Sequence, residues 1–421
     1  MNFKHSLVTA GCLAAIGMAG TAQAVQVAGE YLEVYGNLYP QFQESRFSGS
    51  APTGTPTSNL TKGLVTPTNT TFAAQLDSKT QFTTVNSYVG LKGKKSFSDV
   101  TVGYDYQAVM QKNYDGNFPV PIFSDVRDAF AFVSHAKLGT LQLGQMDTIY
   151  KEFGDRVRML GVSSSNFVST SGVLSAASWK SIAKVGTTGV TEVAGTTSFN
   201  TRIGDQILWI SPNWNGVEVG YSLRPDPNPK AGRNQSLSSM GARWSNKAYY
   251  VGLAQEIHND YRTFSGTGYT GSATTLLNTN PSSKDTAVRL SFGYTAEKYR
   301  LGIDLASLKY TEDATALKKF SGYDTTTWQI SGEYKVDEKL TVAANYAQGA
   351  AGSCSISGGG ACSTSGLGGN LVSLGARYDI TKAVGLFALY AENAANDSAT
   401  YASSAIGGKV TNMAVGVQVK F

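Results

Sequence analysis

Residues that could perform catalytic or metal chemistry are few in this sequence and stand far apart. Nucleophilic catalysis needs a base beside a serine or cysteine, oriented by a third polar group. The only histidines beyond residue 24 are His135, in "SHAKLG", and His258, which precedes a long polar segment. The strand order derived below puts them at opposite ends of the molecule. The sequence also lacks His-Glu-x-x-His, Cys-x-x-Cys, a phosphate-binding loop and a dinucleotide fingerprint, so we expect no enzyme, no cofactor and no metal site.

Two cysteines lie close together in "GSCSISGGGACST", at Cys354 and Cys362. In an exported protein such a pair is expected to close a small loop as a disulfide. Closing that loop would stabilise the fold by about 2.5 kcal/mol. The alternative is two free thiols.

The first 24 residues have the pattern of a removable secretory signal. "MNFKHSLVTAGCLAAIGMAGTAQA" has a basic start, an apolar stretch and a small-residue cleavage site. We therefore expect residues 1–24 to be a signal peptide and residues 25–421 to be the mature chain. Its formal charge falls from +5 to +4 because Lys4 leaves. No basic run suggests a nucleic-acid partner.

The rest of the chain alternates apolar and polar residues with a period of two. In "TNMAVGVQVKF" every second residue from Met413 to Phe421 is apolar, which is typical of a strand with one apolar face. After residue 24 no apolar stretch reaches the length of about 20 residues that a transmembrane helix needs. Charged residues keep to the polar face of such segments: Asp105, Arg243, Glu256, Arg289, Asp304, Arg377 and Asp379. A cation at a lipid-facing midplane costs about 2–4 kcal/mol, which explains the alternation.

Short polar turns give the number of strands. Seven of them join fourteen strands: "GKKSFSD", "HAKLGT", "SPNWNG", "SNKA", "TAEK", "VDEK" and "DITK". The opening "EYLEVYGNLYPQF" and the closing strand make sixteen, with long Gly/Ser/Thr/Asn-rich segments such as 44–78, 260–285 and 350–368 between the hairpins. Short turns at one end and long loops at the other are typical of a transmembrane barrel. A secreted sandwich or propeller also alternates, but it rarely needs such long strands with aromatic residues at both ends.

We therefore predict an all-β protein, a sixteen-stranded antiparallel transmembrane β-barrel with long extracellular loops. Its last strand is expected to pair with the first and so remove the free sheet edge. A closed sheet of sixteen strands leaves an aqueous lumen.

Five segments in order resemble the Gram-negative general porins, the trimeric diffusion channels of the outer membrane. They are "LEVYGNLY", "SYVGLKG", "KLGTLQLGQ", "TRIGDQILWISP" and "VGVQVKF". The resemblance implies a cell outer-membrane location, a homotrimer in lipid, and a water-filled pore for small hydrophilic solutes and ions. It also implies a third loop folded inward, with acidic residues facing an arginine cluster on the wall. The terminal Phe421 is then expected to lie at the lipid interface and to be read by the outer-membrane assembly machinery.

Residue by residue, the resemblance to the porin constriction is partial. Glu152 and Asp155, in "MDTIYKEFGDRVRMLG", match the acidic loop positions, and Arg202, in "NTRIGD", matches a wall arginine. Arg127 points into the lumen if Phe130 and Phe132 point outward.

Two positions where the porins often carry arginine are Tyr88 and Gln145 here. Lys92 is inward by alternation, and so is Arg289, so we count all four as possible pore-lining residues. Because the basic wall is thinner than usual, we expect only a weak anion preference.

Other functions remain open at this point. A substrate-specific outer-membrane channel would need a binding track, and the long third loop, about 147–200, could supply one. An outer-membrane enzyme or an adhesin on a barrel scaffold is the remaining alternative.

Overall fold

The structure is a computed structural model of the 421-residue chain. It describes residues 24–50, 79–84, 87–110, 126–154, 156, 159–161, 181–185, 189–193, 199–226, 234–260, 282–314, 317, 319–359, 364, 368–395 and 406–421. The predicted signal peptide lies outside the described residues except for Ala24, and so do Asp155, Cys362 and most of the third loop.

Within the described residues, sixteen strands follow one another around the barrel. Their bounds are β1 Glu33–Leu38 and Gln41–Ser50, β2 Lys79–Thr83 and Tyr88–Phe97, β3 Val100–Val109, β4 Val126–His135, β5 Gly139–Asp147, β6 Arg202–Ile210, β7 Val217–Arg224, β8 Ser236–Ser245, β9 Tyr249–Asn259, β10 Ser283–Thr295, β11 Tyr299–Glu312, β12 Phe320–Lys335, β13 Leu340–Gly349, β14 Gly369–Asp379, β15 Val384–Ala395 and β16 Ile406–Lys420.

Short strands accompany this ring. Val25–Gln26 pairs with β1, Ser353–Ile356 pairs with β12, and Ser181–Val185 forms a hairpin with Gly189–Val193. The described helices are short: an α-helix at Ile149–Glu152 and 3-10 turns at Gly29–Tyr31 and Met159–Gly161. Among the described residues, no helix has the length and apolar character that crossing a membrane requires.

Every strand pairs antiparallel with the next, and the first and last strands close the ring. Gln41 lies opposite Gly416, and Asn37 lies opposite Lys420. The Phe421 N–H donates to the Gly36 carbonyl at 3.2 Å, and the Gly36 N–H donates to the Phe421 carbonyl at 2.9 Å. The predicted closed sixteen-stranded barrel is therefore confirmed, and its sheet has no free edge between the first and last strands.

The outer face carries the apolar residues of the alternating pattern. Val133, Leu143, Leu253 and Val415 are 47 %, 50 %, 52 % and 59 % exposed. Aromatic side chains gather on this face near the short turns, as expected for a membrane interface: Phe97, Trp214, Trp244, Tyr249, Tyr294, Tyr299 and Tyr378.

The seven predicted turns are all present, and side-chain oxygens hold several of them. Asn246 Oδ1 accepts the N–H groups of Ala248 and Tyr249 at 2.8 and 2.7 Å. Asp337 Oδ1 accepts those of Leu340 and Lys339 at 2.8 and 2.7 Å. These two bonds hold the pKa of the Asp337 carboxyl below its usual value. Such local bonds are why Asn and Asp are preferred in tight turns.

The third loop supplies the packed core of the barrel. Its helix and the residue that follows the helix place Ile149, Tyr150 and Phe153 against the inner face of the sheet, where each is at most 1 % exposed. Phe199, at the end of the loop, joins the same cluster, while Leu160 packs in a second cluster against β13–β15. Residues 149–154, 159–161 and Phe199 of this loop therefore lie inside the barrel, as the resemblance implied.

Cys354 lies in the short strand beside β12 and is disulfide-bonded. Because Cys362 lies outside the described residues, its pairing with Cys354 stays a prediction.

Removing Phe421 tests the closure of the sheet. The deletion removes two backbone hydrogen bonds, worth about 1 kcal/mol each, and the ring that covers Gly36. We expect a smaller fraction of heat-modifiable, folded barrel after refolding in detergent, and a lower yield in the outer membrane.

The Phe421→Leu variant keeps the backbone bonds and loses only the ring, so it separates the two contributions. Folding and yield equal to wild type in both variants would contradict this role for the terminal residue.

Candidate pore constriction

Arg202 is the centre of an ion-paired cluster on the inner wall. Its Nε lies 2.6 Å from Asp128 Oδ1, and its Nη2 lies 2.9 Å from Asp147 Oδ1. Lys151, on the helix of the third loop, reaches the same Asp147 oxygen at 3.1 Å. Two carboxylates therefore hold the Arg202 side chain, which is 19 % exposed.

Arg127 lies beside this cluster and stacks on an aromatic ring. Its guanidinium carbon is 4.8 Å from the centre of the Tyr88 ring, and its Nε is 3.9 Å from Asp128 Oδ2. In the described part of the chain, Arg127 Nε has no hydrogen-bond partner. The Tyr88 ring, on β2, therefore packs against the Arg127 guanidinium, which comes from β4 of the same wall.

The inward direction of Arg127 has a different cause from the one predicted. Phe130 packs against the third-loop cluster, and Phe132 shares its face by alternation, so the expectation that both point outward is wrong. The register shifts by one residue between the Tyr106–Ala129 and Ala108–Val126 pairs.

This β-bulge sets two residues of β4, Arg127 and Asp128, opposite the single residue Gln107. Both side chains consequently reach the inner wall, where strict alternation would send one of them outward. Asp128 is a site residue that the sequence analysis missed. The signal for it was present, because "DVRDAF" places two charges side by side and so breaks the alternation.

Gln145 stabilises the backbone of this bulge. Its Nε2 donates to the Val126 carbonyl and, at 3.2 Å, to the Arg127 carbonyl. The preceding Gly144 has φ +137°, and a Cβ there would lie 2.2 Å from the Ala129 carbonyl oxygen. Gln145 therefore takes backbone carbonyls as its partners, and the Gly144-Gln145 pair lets β5 approach β4 closely.

Lys92 lies lower on the same wall, toward the short turns. Its Nζ is 2.8 Å from Glu33 Oε1 and 4.6 Å from the centre of the Tyr35 ring. The side chain is 42 % exposed, so Lys92 faces the lumen as an ion pair.

Glu152 does not face Arg127 or Arg202. Its carboxylate lies 3.6 Å from Arg243 Nη1, on β8, and Arg243 also binds Glu218 at 2.9 Å. The helix of the third loop thus turns Lys151 toward one wall and Glu152 toward the other. The arginine that pairs with Glu152 is therefore Arg243. The sequence analysis placed Arg243 on the inner face but did not include it among the site residues.

Arg289 lies on the inner face but beneath the third loop, where it is 1 % exposed. It binds Asp304 at 2.8 Å and donates to Asn200 Oδ1 at 3.0 Å. The expectation that Arg289 lines the open lumen is therefore not met, because the loop covers it.

The third loop covers part of the inner wall and leaves other parts of it open. On the inner faces of β9, β11 and β12, Glu256, Asp304 and Gln329 are at most 3 % exposed, whereas the side chains of Lys92 and Arg127 are 42 % and 23 % exposed. Among the described residues, the more exposed inner charges lie on β1–β6 and β8, at the short-turn end of β11, where the Arg300 side chain is 43 % exposed, and on β14, at Arg377 and Asp379.

The charges in the immediate surroundings of Lys92, Arg127 and Arg202 balance one another. The cations are Lys92, Arg127, Arg202 and Lys151, and the carboxylates are Glu33, Asp105, Asp128 and Asp147. Such a surface attracts ions of both signs at short range and has little long-range potential.

The chain belongs to the Gram-negative porin family, whose family model matches residues 9–398. It is an outer-membrane β-barrel protein, a porin channel. A comparison with curated proteins finds no matching sequence.

Solved structures share the fold at low sequence identity. The anion-selective porin from Comamonas acidovorans is 14 % identical, with a TM-score of 0.64 over 93 % of this chain and 99 % of that one. OmpF of Salmonella typhi, in complex with daunomycin, is 15 % identical, with a TM-score of 0.62 over 95 % and 100 %. OmpT, an outer membrane protein of Vibrio cholerae, is 12 % identical, with a TM-score of 0.58 over 95 % and 100 %.

The Asp128→Asn variant tests the charge balance of the wall. It removes the carboxylate that binds both Arg202 and Arg127, so the wall gains one net positive charge. Because one charge across a wet pore is worth about 1 kcal/mol or less, we expect the anion-to-cation permeability ratio to rise about two- to fivefold. The measurement is the zero-current potential of bilayer channels in a KCl gradient.

The matched control is Glu44→Gln. Glu44 forms an exposed ion pair with Arg46 near the long-loop end of β1, and its removal should leave the ratio unchanged. An equal shift in both variants would contradict a special role for Asp128.

Proposed function

We propose that this porin is a passive, water-filled channel for small hydrophilic solutes and ions, with a weak preference for anions. The observation that carries the proposal is the row of paired charges on the inner faces of β1–β6, whose side chains are 13 % to 42 % exposed. Solutes move down their gradients past this row, and the pore width and the local field set which of them pass. No covalent step is required, so we propose a channel and not an enzyme or adhesin.

The weak anion preference has two supports. The expected mature charge is +4, and the Arg127 side chain is 23 % exposed, with the Asp128 carboxylate 3.9 Å from its Nε. Arg202 contributes less to the field, because two carboxylates neutralise it at 2.6 and 2.9 Å. The Comamonas relative of the same fold is described as anion-selective, which agrees with this sign.

Conductance in planar bilayers tests the proposal directly. We expect the single-channel conductance to rise roughly linearly with KCl concentration, because ions cross a hydrated lumen without a saturable site. A conductance that saturates at millimolar KCl would instead favour a substrate-specific channel with a binding track in the third loop. A folded protein without channel activity would overturn the proposal.

We further propose a homotrimer, embedded in outer-membrane lipid and inserted by the outer-membrane assembly machinery. The support is membership of the porin family together with the apolar outer face of the barrel. On a gel run without heating, we expect a band near three times the mass of the denatured chain, and heating should convert it to monomer. A folded, heat-modifiable band at monomer mass alone would contradict the trimer.

A further inference from the structure

Four side chains form a continuous column on the open wall, which we call the tyrosine–cation column: Lys92, Tyr35, Tyr88 and Arg127. Lys92 Nζ lies 4.6 Å from the Tyr35 ring centre. The Tyr35 and Tyr88 rings meet edge to face, with centres 6.1 Å apart and planes at 77°. Arg127 then lies 4.8 Å from the Tyr88 ring centre. Cations therefore stand at both ends of a pair of aromatic rings.

Hydrogen bonds hold the column in place. The Tyr35 hydroxyl donates to Asp105 Oδ1 at 2.5 Å and accepts from Gln107 Nε2 at 2.9 Å. Lys92 is fixed by Glu33 at 2.8 Å. The bulge that carries Arg127 is braced by Gln145. Because these side chains are already held in place, a ligand that binds here loses little free energy to the ordering of the wall.

The column lies where the lumen is open. Tyr35 and Tyr88 are half-buried. They are more exposed than the side chains beneath the third loop. A span of four residues separates Tyr88 from Lys92 along β2, which is about 13 Å of extended strand. A single planar ring with a carboxylate fits within this length.

The chemistry of the column selects one class of small anion. Aromatic rings prefer edge-to-face or offset contacts with other rings. The Arg127 guanidinium, in a side chain that is 23 % exposed, offers a charge-assisted hydrogen bond to a carboxylate. An aromatic carboxylate carries both groups, so it can contact the tyrosine rings and bind the Arg127 guanidinium at the same time. An aliphatic acid can bind only the guanidinium, and a neutral arene can contact only the rings.

We propose that the tyrosine–cation column is a subsite for aromatic carboxylates on their way through the pore. This inference rests on the proposed channel function and adds a substrate class to it. It puts the subsite on the barrel wall, at β1, β2 and β4, and not in the third loop.

The experiment compares benzoate with cyclohexanecarboxylate in planar bilayers. Both probes carry one carboxylate and a six-membered ring, but only benzoate is aromatic, and benzyl alcohol serves as the uncharged aromatic probe. We expect benzoate to reduce the KCl current at roughly three- to tenfold lower concentration than cyclohexanecarboxylate, the factor that one aromatic contact supplies. Benzyl alcohol should have no effect in this range. Equal potency of the two acids would overturn the proposal.

Variants locate the effect. Tyr88→Leu should abolish the difference between the two acids, while Tyr88→Phe, which keeps the ring, should retain it. Arg127→Gln should weaken both acids together. A benzoate preference that survives Tyr88→Leu would overturn the assignment to this column.

Tyr249→Leu is the matched control for the tyrosine, because Tyr249 is 55 % exposed on the outer face, and Arg46→Gln is the control for the arginine. Both should behave as wild type toward the two acids. The KCl conductance of the wild-type protein is recorded first. Its absence would refute the channel itself, whereas normal KCl conductance with no benzoate preference would refute only the subsite. If Tyr88→Leu fails to fold, the two acids on the wild-type channel still decide the question.

Discussion

The closure of the sheet is the constraint on which the rest of this structure depends. In hydrocarbon there is no water to satisfy a free strand edge, so every backbone N–H and carbonyl must find a partner within the protein. The last residues of the chain meet this condition at Gly36 and Asn37. Once the ring is closed, each residue of a strand faces either lipid or lumen. The alternation of apolar and polar residues then divides the whole chain between those two environments.

A lumen enclosed by sixteen strands is too wide to be selective when it is empty, and the third loop narrows it from one side. The loop docks through apolar contacts at Ile149 and Phe153 and through polar contacts such as those of Arg289 with Asn200 and Asp304. These contacts cover inner-face residues of β9–β12, where Glu256, Asp304 and Gln329 are at most 3 % exposed. Solutes can still reach the wall that carries the ion pairs of Lys92, Arg127 and Arg202 and the tyrosine–cation column.

The open wall combines balanced charge with oriented aromatic rings. Balanced charge keeps the long-range field small, so ions of either sign can enter, and water and salt screen what remains. Selectivity in such a pore comes from short-range contacts that depend on where each partner sits. Arg202 is held by two carboxylates at 2.6 and 2.9 Å, whereas the Asp128 carboxylate lies 3.9 Å from Arg127 Nε. Two arginines that look equivalent in the sequence therefore differ in what they can offer a solute.

The sequence by itself determined the number of strands, the positions of the seven short turns and the face on which most side chains lie. Those properties are local, because they follow from a period of two and from turn chemistry within a few residues. Only the tertiary structure decided the site. A bulge, which alternation cannot reveal, turned both Arg127 and Asp128 inward and reversed the expected direction of Phe130. Likewise the path of the third loop buries Arg289 and brings Glu152 into an ion pair with Arg243. These outcomes depend on contacts between segments far apart in the chain, and they are set by which surfaces pack together when the loop folds into the barrel.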